Sequence, residues 1–533
     1  MRSVPIHHWV LLAILLAGIF LRTYEVRDWM TFNPDQARDA LLVLDMLEGN
    51  QWPLMGPQAG STFFSLGPIF YYFEFASAWL FGGTADRMAY ADIFFSIGAI
   101  ALAYLFFKKF FGEKISLSLA FLFSISFFVV TYSRFAFNPN SIPFFVLLFL
   151  LSLFAISDHE SKERLFPAAL LGIAMGVGFQ LHAILFVSMP FLALLVFIYL
   201  VLRGRFLWRS FLLALAFFFI ANAGQVASEW QTRGANLQSF FAEVSHSKAG
   251  GSGGNFGRDL SNDLLCHVQG YVYIISSLGS GDKCDLTKLP RQIEKKGIML
   301  NLNRILLALS GAVFMIGGWI LLMFSAFQES DRKRRRALVL TGVYSLIIFA
   351  ILFSVSSSLS IRYFIVIEFM PFLLLGLWIR FLQKKVWHSI SFSAAGMIIL
   401  FLAGLNAWTL YGAAIEYRNK TAGTDNIAVF GEVELMSRYI LDHSKGSRQI
   451  YLSGKKSYLS RYGKPLEYFA RQEGMILSKA YKKENITDDD SFFYITKKIS
   501  EKKPLPQMVG GFEAVESATF GNVSILRMIR KAE

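Results

Sequence analysis

Trp9-Val10-Leu11-Leu12-Ala13-Ile14-Leu15-Leu16-Ala17-Gly18-Ile19-Phe20-Leu21, followed closely by Asn33-Pro34-Asp35-Gln36-Ala37-Arg38-Asp39-Ala40, is the stretch whose reading decides the fold. The first part is unbroken hydrocarbon, and no small-residue cleavage site precedes Arg22. It reads as a retained first transmembrane helix, short for a span, and not as a cleaved signal. The second part carries every local signal of a helix start. Asn33 is a good N-cap, Pro34 suits the first helical position, and Gln36 can complete a capping box. The amphipathic pattern then runs to Glu48 and stops at Gly49.

Hydrophobic residues make up 54% of the 533, and only 17% are charged. The apolar residues come in long runs, so the chain is lipid-embedded, and a bilayer restricts its spanning part to a helical bundle. Runs near 8–23, 88–107, 115–132, 141–156, 166–181, 183–202, 210–226, 304–325, 337–355, 361–380 and 389–412 give about 11 transmembrane helices. The run 66–82 holds Pro68 and Glu74 among aromatics and reads as a juxtamembrane helix lying along the membrane. The net charge of +14 does not indicate nucleic acid, because the basic residues sit at span ends.

Clusters at Lys108, Lys109 and Lys114, at Arg203, Arg205 and Arg209, at Arg332 to Arg336, and at Arg380, Lys384 and Lys385 recur after alternate spans, which makes those loops cytoplasmic. The 157–164 connection, with Asp158, Glu160 and Glu163 beside Lys162 and Arg164, gives no vote. The expected topology is a multi-pass plasma (inner) membrane protein with a cytoplasmic N-terminus. Three segments then lie outside: loops at about 24–87 and 227–303, and everything from 413 to 533. The second loop contains the flexible run Gly250-Gly251-Ser252-Gly253-Gly254 and both cysteines, Cys266 and Cys284, which an oxidising compartment permits but does not oblige to pair. Beyond about 420, Gln449–Leu452, Phe492–Ile495 and Val523–Leu526 read as strands and 431–442 as a helix. The expected division is 1–412, a membrane module, and 413–533, a small extracytoplasmic α/β domain.

Chemistry should be sought on the outer side. Asp35 and Asp39 project from one helix face with Arg38 close by, an arrangement suited to proton abstraction or cation binding. An acid in the first turn is also what the helix dipole favours. Tyr132-Ser133-Arg134-Phe135-Ala136-Phe137-Asn138-Pro139-Asn140-Ser141 connects two spans on that side, and Arg134 could hold a phosphate or simply snorkel. Ser358-Leu359-Ser360-Ile361-Arg362-Tyr363 supplies a second candidate phosphate ligand in Arg362, and His182 is a lone histidine at an outer span end. Lys248 and Arg258 read as solvated charges.

These stretches, in this order and on this side, resemble the GT-C superfamily of lipid-linked-sugar glycosyltransferases, the branch with protein O-mannosyltransferases and aminoarabinose transferases. Asp35-Gln36 occupies the place of the family's first-loop aspartate, and Gly67-Pro68-Ile69-Phe70-Tyr71-Tyr72 resembles its Pro-containing aromatic motif. Arg134 through Phe145 looks like the Arg motif between the third and fourth spans, and Arg362-Tyr363 like the late Arg-Tyr motif. The sequence departs from the family's pattern at Gln36, where an acid often stands, at Asn138-Pro139-Asn140, where many relatives keep an aspartate, and at Gly67, where some place a basic residue. No metal ligands are therefore assigned, and a divalent cation stays open.

The resemblance implies transfer of a sugar from a polyprenyl-phosphate donor to a lipid, glycan or protein acceptor, with inversion. Asp35 would be the general base, Asp39 a second acid, and Arg134 and Arg362 the donor-phosphate ligands. Arg38, Asn138, Asn140, His182 and Tyr363 complete the candidate site. A transporter or a polymer-assembly protein would show the same spans. Neither needs Asp35, and a transporter should add charges or broken helices near mid-membrane together with an internal repeat.

Overall fold

The computed structural model describes residues 5–60, 62–158, 164–249, 256–279, 281, 283–356, 359–385, 388–418, 428–444, 446–447, 449–479, 486, 490–498, 508–509 and 511–530. Glu160, Lys162, Glu163, the Gly250–Gly254 run and Ser358 lie outside them.

Each apolar run of the sequence is helical. The chain opens with α1 (Ile6–Thr23), then α2 (Val26–Trp29), α3 (Pro34–Leu47) and α4 (Ile69–Phe81) on the surface of the bundle. It enters the bundle through α5 (Ala85–Met88) and α6 (Tyr90–Phe107), and continues with α7 (Glu113–Ile125), α8 (Phe127–Thr131), α9 (Ile142–Ser157), α10 (Leu165–Leu181) and α11 (Ala183–Leu202). After α12 (Trp208–Ala221) come α13 (Ala223–Gln231), α14 (Ala235–Ala249), α15 (Phe256–Ser276) and α16 (Leu289–Lys296). The last membrane helices are α17 (Leu302–Gln328), α18 (Arg332–Phe353), α19 (Phe369–Lys385) and α20 (His388–Arg418). Among the described residues seven helices are long and apolar enough to cross a membrane, and nine if each bent pair counts as one span.

The sequence did not show the breaks. α12 and α13 meet at 68° at Asn222, whose amide donates to the Phe218 and Gly176 carbonyls. The freed Ala221 carbonyl is taken up by Gln180 Nε2 at 2.8 Å, so a neighbouring helix satisfies what the bend exposes. A 3-10 turn, Ile361–Ile367, meets α19 at 67°, with Glu368 buried at the bend. The α7–α8 break falls at Ser126, whose hydroxyl donates to the Ile274 carbonyl at 2.6 Å. Three buried charges, Arg22, Asp92 and Glu368, lie within apolar runs. Arg22 donates to the Ser96 hydroxyl and to the Gly18 and Ser124 carbonyls.

The 227–303 segment departs from the expected outer loop. Its α15 buries Tyr271, Ile274 and most of its second half in the bundle, and Cys266 is bridged to Cys284. The polar first turns of α15 hid this helix from a search for apolar runs. Asp158, in the connection that gave no vote, pairs with Lys333 at 3.1 Å and with Arg336, while Arg380 pairs with Glu329. These basic groups therefore gather at the end opposite α3.

The C-terminal part is a six-stranded sheet, β1 (Ile450–Gly454), β2 (Leu477–Lys479), β3 (Ser491–Lys497), β4 (Met508–Val509), β5 (Phe512–Phe520) and β6 (Val523–Arg530), in the order β2-β1-β3-β6-β5-β4. β1 runs parallel to β2 and β3, and the other pairs are antiparallel. Helices α21 (Phe430–Asp442) and α22 (Lys456–Gln472) cover it. The three tetrapeptides read as strands fall in β1, β3 and β6, with Gln449 just ahead of β1. The layer is tied to the loop after α1: Phe32 N donates to the Ala428 carbonyl at 2.9 Å and Phe430 N to that of Met30 at 3.0 Å. The buried Phe32 ring sits among Phe430, Tyr468 and Phe469, so α22 lies against α3.

Candidate functional site

The site is built outward from α3. The capping box expected at its start is present, with Asn33 N donating to Gln36 Oε1 at 3.0 Å. One face of α3 packs on α4 and another on α22, which leaves Asp35 and Arg38 at the surface. Asp35 is 63% exposed and accepts from Arg38 at 3.1 Å. Asp39, one turn on, is 1% exposed and accepts from Arg38 Nε at 2.8 Å and from the Tyr71 hydroxyl at 3.2 Å. Burial, only partly offset by Arg38, pushes the Asp39 carboxyl up to about 6. Glu74, a turn further along α4, is pushed well up by burial and then by the charges of Asp39 and Asp92. The Tyr71 phenol is raised for the same reasons, burial first and Asp39 second.

The first turn of α4 has a second partner. Ile69 N donates to Gln180 Oε1 at 3.2 Å, and a Cβ at Gly67 would run into the Gln180 side chain. This explains the absence of a basic residue at 67: the space is taken. Gln180 precedes His182, whose Nδ1 accepts from Ile184 N at 3.2 Å and whose ring meets Tyr363 edge-on at 5.9 Å. Burial, and secondarily the Arg362 charge, push that imidazole down to about 4, so it is neutral. Arg362 itself is exposed, with its guanidinium over the Tyr363 ring. Asn138 donates to the Leu181 carbonyl at 2.7 Å and Asn140 to that of Phe135 at 2.7 Å. Asp92 fixes this turn from beneath, accepting from Phe137 N at 3.0 Å and from the Ser141 hydroxyl.

Two clusters result: Asp35, Arg38 and Asp39, which meet α4 through Tyr71, and Asn138, His182, Arg362 and Tyr363, which lie by the end of α10 that meets α4 through Gln180. Arg134 is held elsewhere. Its guanidinium donates to the Leu21 carbonyl and to that of Tyr24 at 2.6 Å, and lies over Trp29. It lines an apolar groove whose walls include none of Asp35, His182 or Arg362. Among the described residues, no three His, Cys, Asp or Glu side chains gather as a metal site. Sequence reading missed Tyr71, Glu74, Asp92 and Gln180. The available signal was a lone polar residue inside an apolar or aromatic run.

The chain aligns over 98% of its length with ArnT from Cupriavidus metallidurans in the apo state, covering 98% of that chain at a TM-score of 0.54 and 12% identity. Its fold is the GT-C fold. The same protein bound to undecaprenyl phosphate matches this chain at a TM-score of 0.51 and 13% identity, again over 98% of each chain. The Archaeoglobus fulgidus oligosaccharyltransferase matches over 92% of this chain and 69% of its own, at 0.51 and 12% identity. The family model described as dolichyl-phosphate-mannose-protein mannosyltransferase matches residues 65–223, from the Pro motif of α4 to the break after α12. A curated relative, the undecaprenyl phosphate-alpha-4-amino-4-deoxy-L-arabinose arabinosyl transferase of Wigglesworthia glossinidia brevipalpis, is 25% identical over 172 residues. That match spans 32% of this chain and 30% of the relative's length.

Proposed function

We propose that the protein is a membrane glycosyltransferase that moves a sugar from a polyprenyl-phosphate donor to an acceptor hydroxyl on a lipid, glycan or protein. The observation that carries this reading is the first turn of α4, which bonds the acid helix α3 through Tyr71 and, through Ile69, bonds Gln180, two residues before His182. The curated relative's name and the solved neighbour's undecaprenyl phosphate support the donor class. We divide the chain into a membrane module, 1–412, and an extracytoplasmic domain, 413–533.

Asp35 is the base, because a base must touch the acceptor and only Asp35 of the two acids reaches the surface. It takes the acceptor's proton, the oxygen attacks the anomeric carbon from the face opposite the phosphate, and the sugar–phosphate C–O bond breaks with inversion. The phosphate leaves with the electron pair and meets the charge of Arg362. Asp39 is a positioning residue that holds Arg38 against α3, and Asn138, Asn140, His182 and Tyr363 shape the donor side. The bridge between Cys266 and Cys284 supports an oxidising compartment on that side, and the basic residues at the other end support a cytoplasmic N-terminus.

The test is sugar transfer from polyprenyl-phosphate donors in reconstituted vesicles, native chain against Asp35→Asn at matched folding. Transfer should fall by about 10²–10⁴. Equal transfer by both would move the base elsewhere. No transfer by either with any donor, together with solute flux, would return the transporter reading.

A further inference from the structure

The groove under Arg134 shares no lining residue with Asp35, His182 or Arg362. It is a cavity of about 710 Å³ between α1, the α7–α8 break and α20. Its walls are hydrocarbon, with Phe20 from α1, Val130 from α8 and Leu400 from α20. From Leu400 to Tyr417 it follows α20 for about 25 Å at 1.5 Å per residue, from the middle of the span to its outer end. At that end stand Arg134 and the stacked rings of Trp29 and Tyr417, 5.8 Å apart. Aromatic rings of this kind belong at headgroup level. Two of the five N–H donors of Arg134 go to backbone carbonyls, which fixes the guanidinium at the mouth of the groove.

Trp29 and Tyr417 also line a second cavity of about 500 Å³, between α2 and the C-terminal layer. Its walls carry Glu25, Asp28, Glu432 and Glu434; Glu434 is taken by Arg27 at 2.9 Å and by Arg438 at 2.8 Å, and burial raises the Glu432 carboxyl to about 7, so the negative wall rests chiefly on Glu25 and Asp28. A molecule with its tail in the groove and its phosphate at Arg134 therefore extends its headgroup toward negative charge. A headgroup ending in a second anion is repelled there, and one ending in an amine is attracted.

We propose that the groove binds a glycerophospholipid with an amine-bearing headgroup, acyl chain along α20 and phosphate against Arg134. The site is separate from the donor corner at Arg362, and lipid binding is read without any transfer assay, so the two proposals fail independently. Gly404 lines the groove, where an added Cβ would meet nothing within 4 Å, so the side chain of Gly404→Phe starts into open groove space.

The full chain, incubated in detergent with an equimolar mixture of phosphatidylethanolamine, phosphatidylglycerol and undecaprenyl phosphate, is examined by native mass spectrometry. One phosphatidylethanolamine per chain should be retained in preference, and Gly404→Phe should lower retention about tenfold with an unchanged melting curve. Ala407→Phe repeats the block at another wall position should the first variant fail to fold. Asp28→Lys should shift the preference toward phosphatidylglycerol. Equal retention of all three lipids, preference for either anionic lipid by the native chain, retention unaffected by the folded blocking variant, or an unchanged preference in Asp28→Lys would overturn the proposal.

Discussion

Asp35 and Asp39 are four residues apart on one helix, yet the fold gives them opposite environments. Asp35 faces water, whereas Asp39 lies under Arg38 and Tyr71. The pair was legible as an acidic face, but which acid stays accessible was not, since α4 and α22 decide it. With its carboxyl held at about 6, Asp39 takes up a proton as pH falls through that value and releases Arg38. Transfer should therefore decline on the acid side with a midpoint near 6, and Asp39→Asn should flatten that limb while lowering activity at pH 7.5. The effect on stability has the opposite sign. A folded carboxyl raised above its ordinary 3.8 favours the fold below that value and loses this contribution as pH rises through about 6. The melting temperature of the native chain relative to Asp39→Asn should fall between pH 4 and pH 7, and a constant difference would show that the carboxyl is not so perturbed.

Between elements, the contact that matters most joins α3 to the C-terminal layer. The short backbone pairing of 30–32 with 428–430 places Phe32 among three rings, and Arg471 at the end of α22 meets Asp45 and Glu48. The Arg471 pairs are partly exposed and contribute at most about 1 kcal/mol. Phe32 is fully buried, and Phe32→Ala should cost about 3–5 kcal/mol. Limited proteolysis should then release the C-terminal layer earlier than in the native chain while leaving the bundle intact, and an unchanged digestion time course would deny this anchoring role. The start and stop of α3 were readable because capping is local: Asn33, Pro34 and Gln36 act within one turn. The breaks at Asn222 and Glu368 were not readable, because an isolated span with a polar residue looks the same whether or not a neighbour such as Gln180 receives the freed carbonyl.

At the scale of the molecule, the bundle sorts its charges by end. Asp158, Lys333, Arg336 and Arg380 lie at one end, and α3, the disulfide and the sheet lie at the other. Because both native cysteines are bridged, a new cysteine reports its side of the membrane without background. Ser460→Cys on α22 should react with a membrane-impermeant maleimide in intact cells, and Lys333→Cys at the start of α18 only after permeabilisation. The reverse pattern would invert the orientation.

The sequence by itself determined the helical bundle, its apolar runs, the cap of α3 and the strands of the C-terminal sheet. Each of these depends on hydrophobic run length, period or a cap within a few residues. Only the tertiary structure decided the rest: that Gln180 fills the space beside Gly67, that Asp39 is sealed under Tyr71, that α15 enters the bundle, and that Arg134 lines a groove that Arg362 does not. Those outcomes depend on which side chains from distant segments meet. That is fixed by packing, where a polar group in a low-dielectric interior must find its partner wherever the chain brings one.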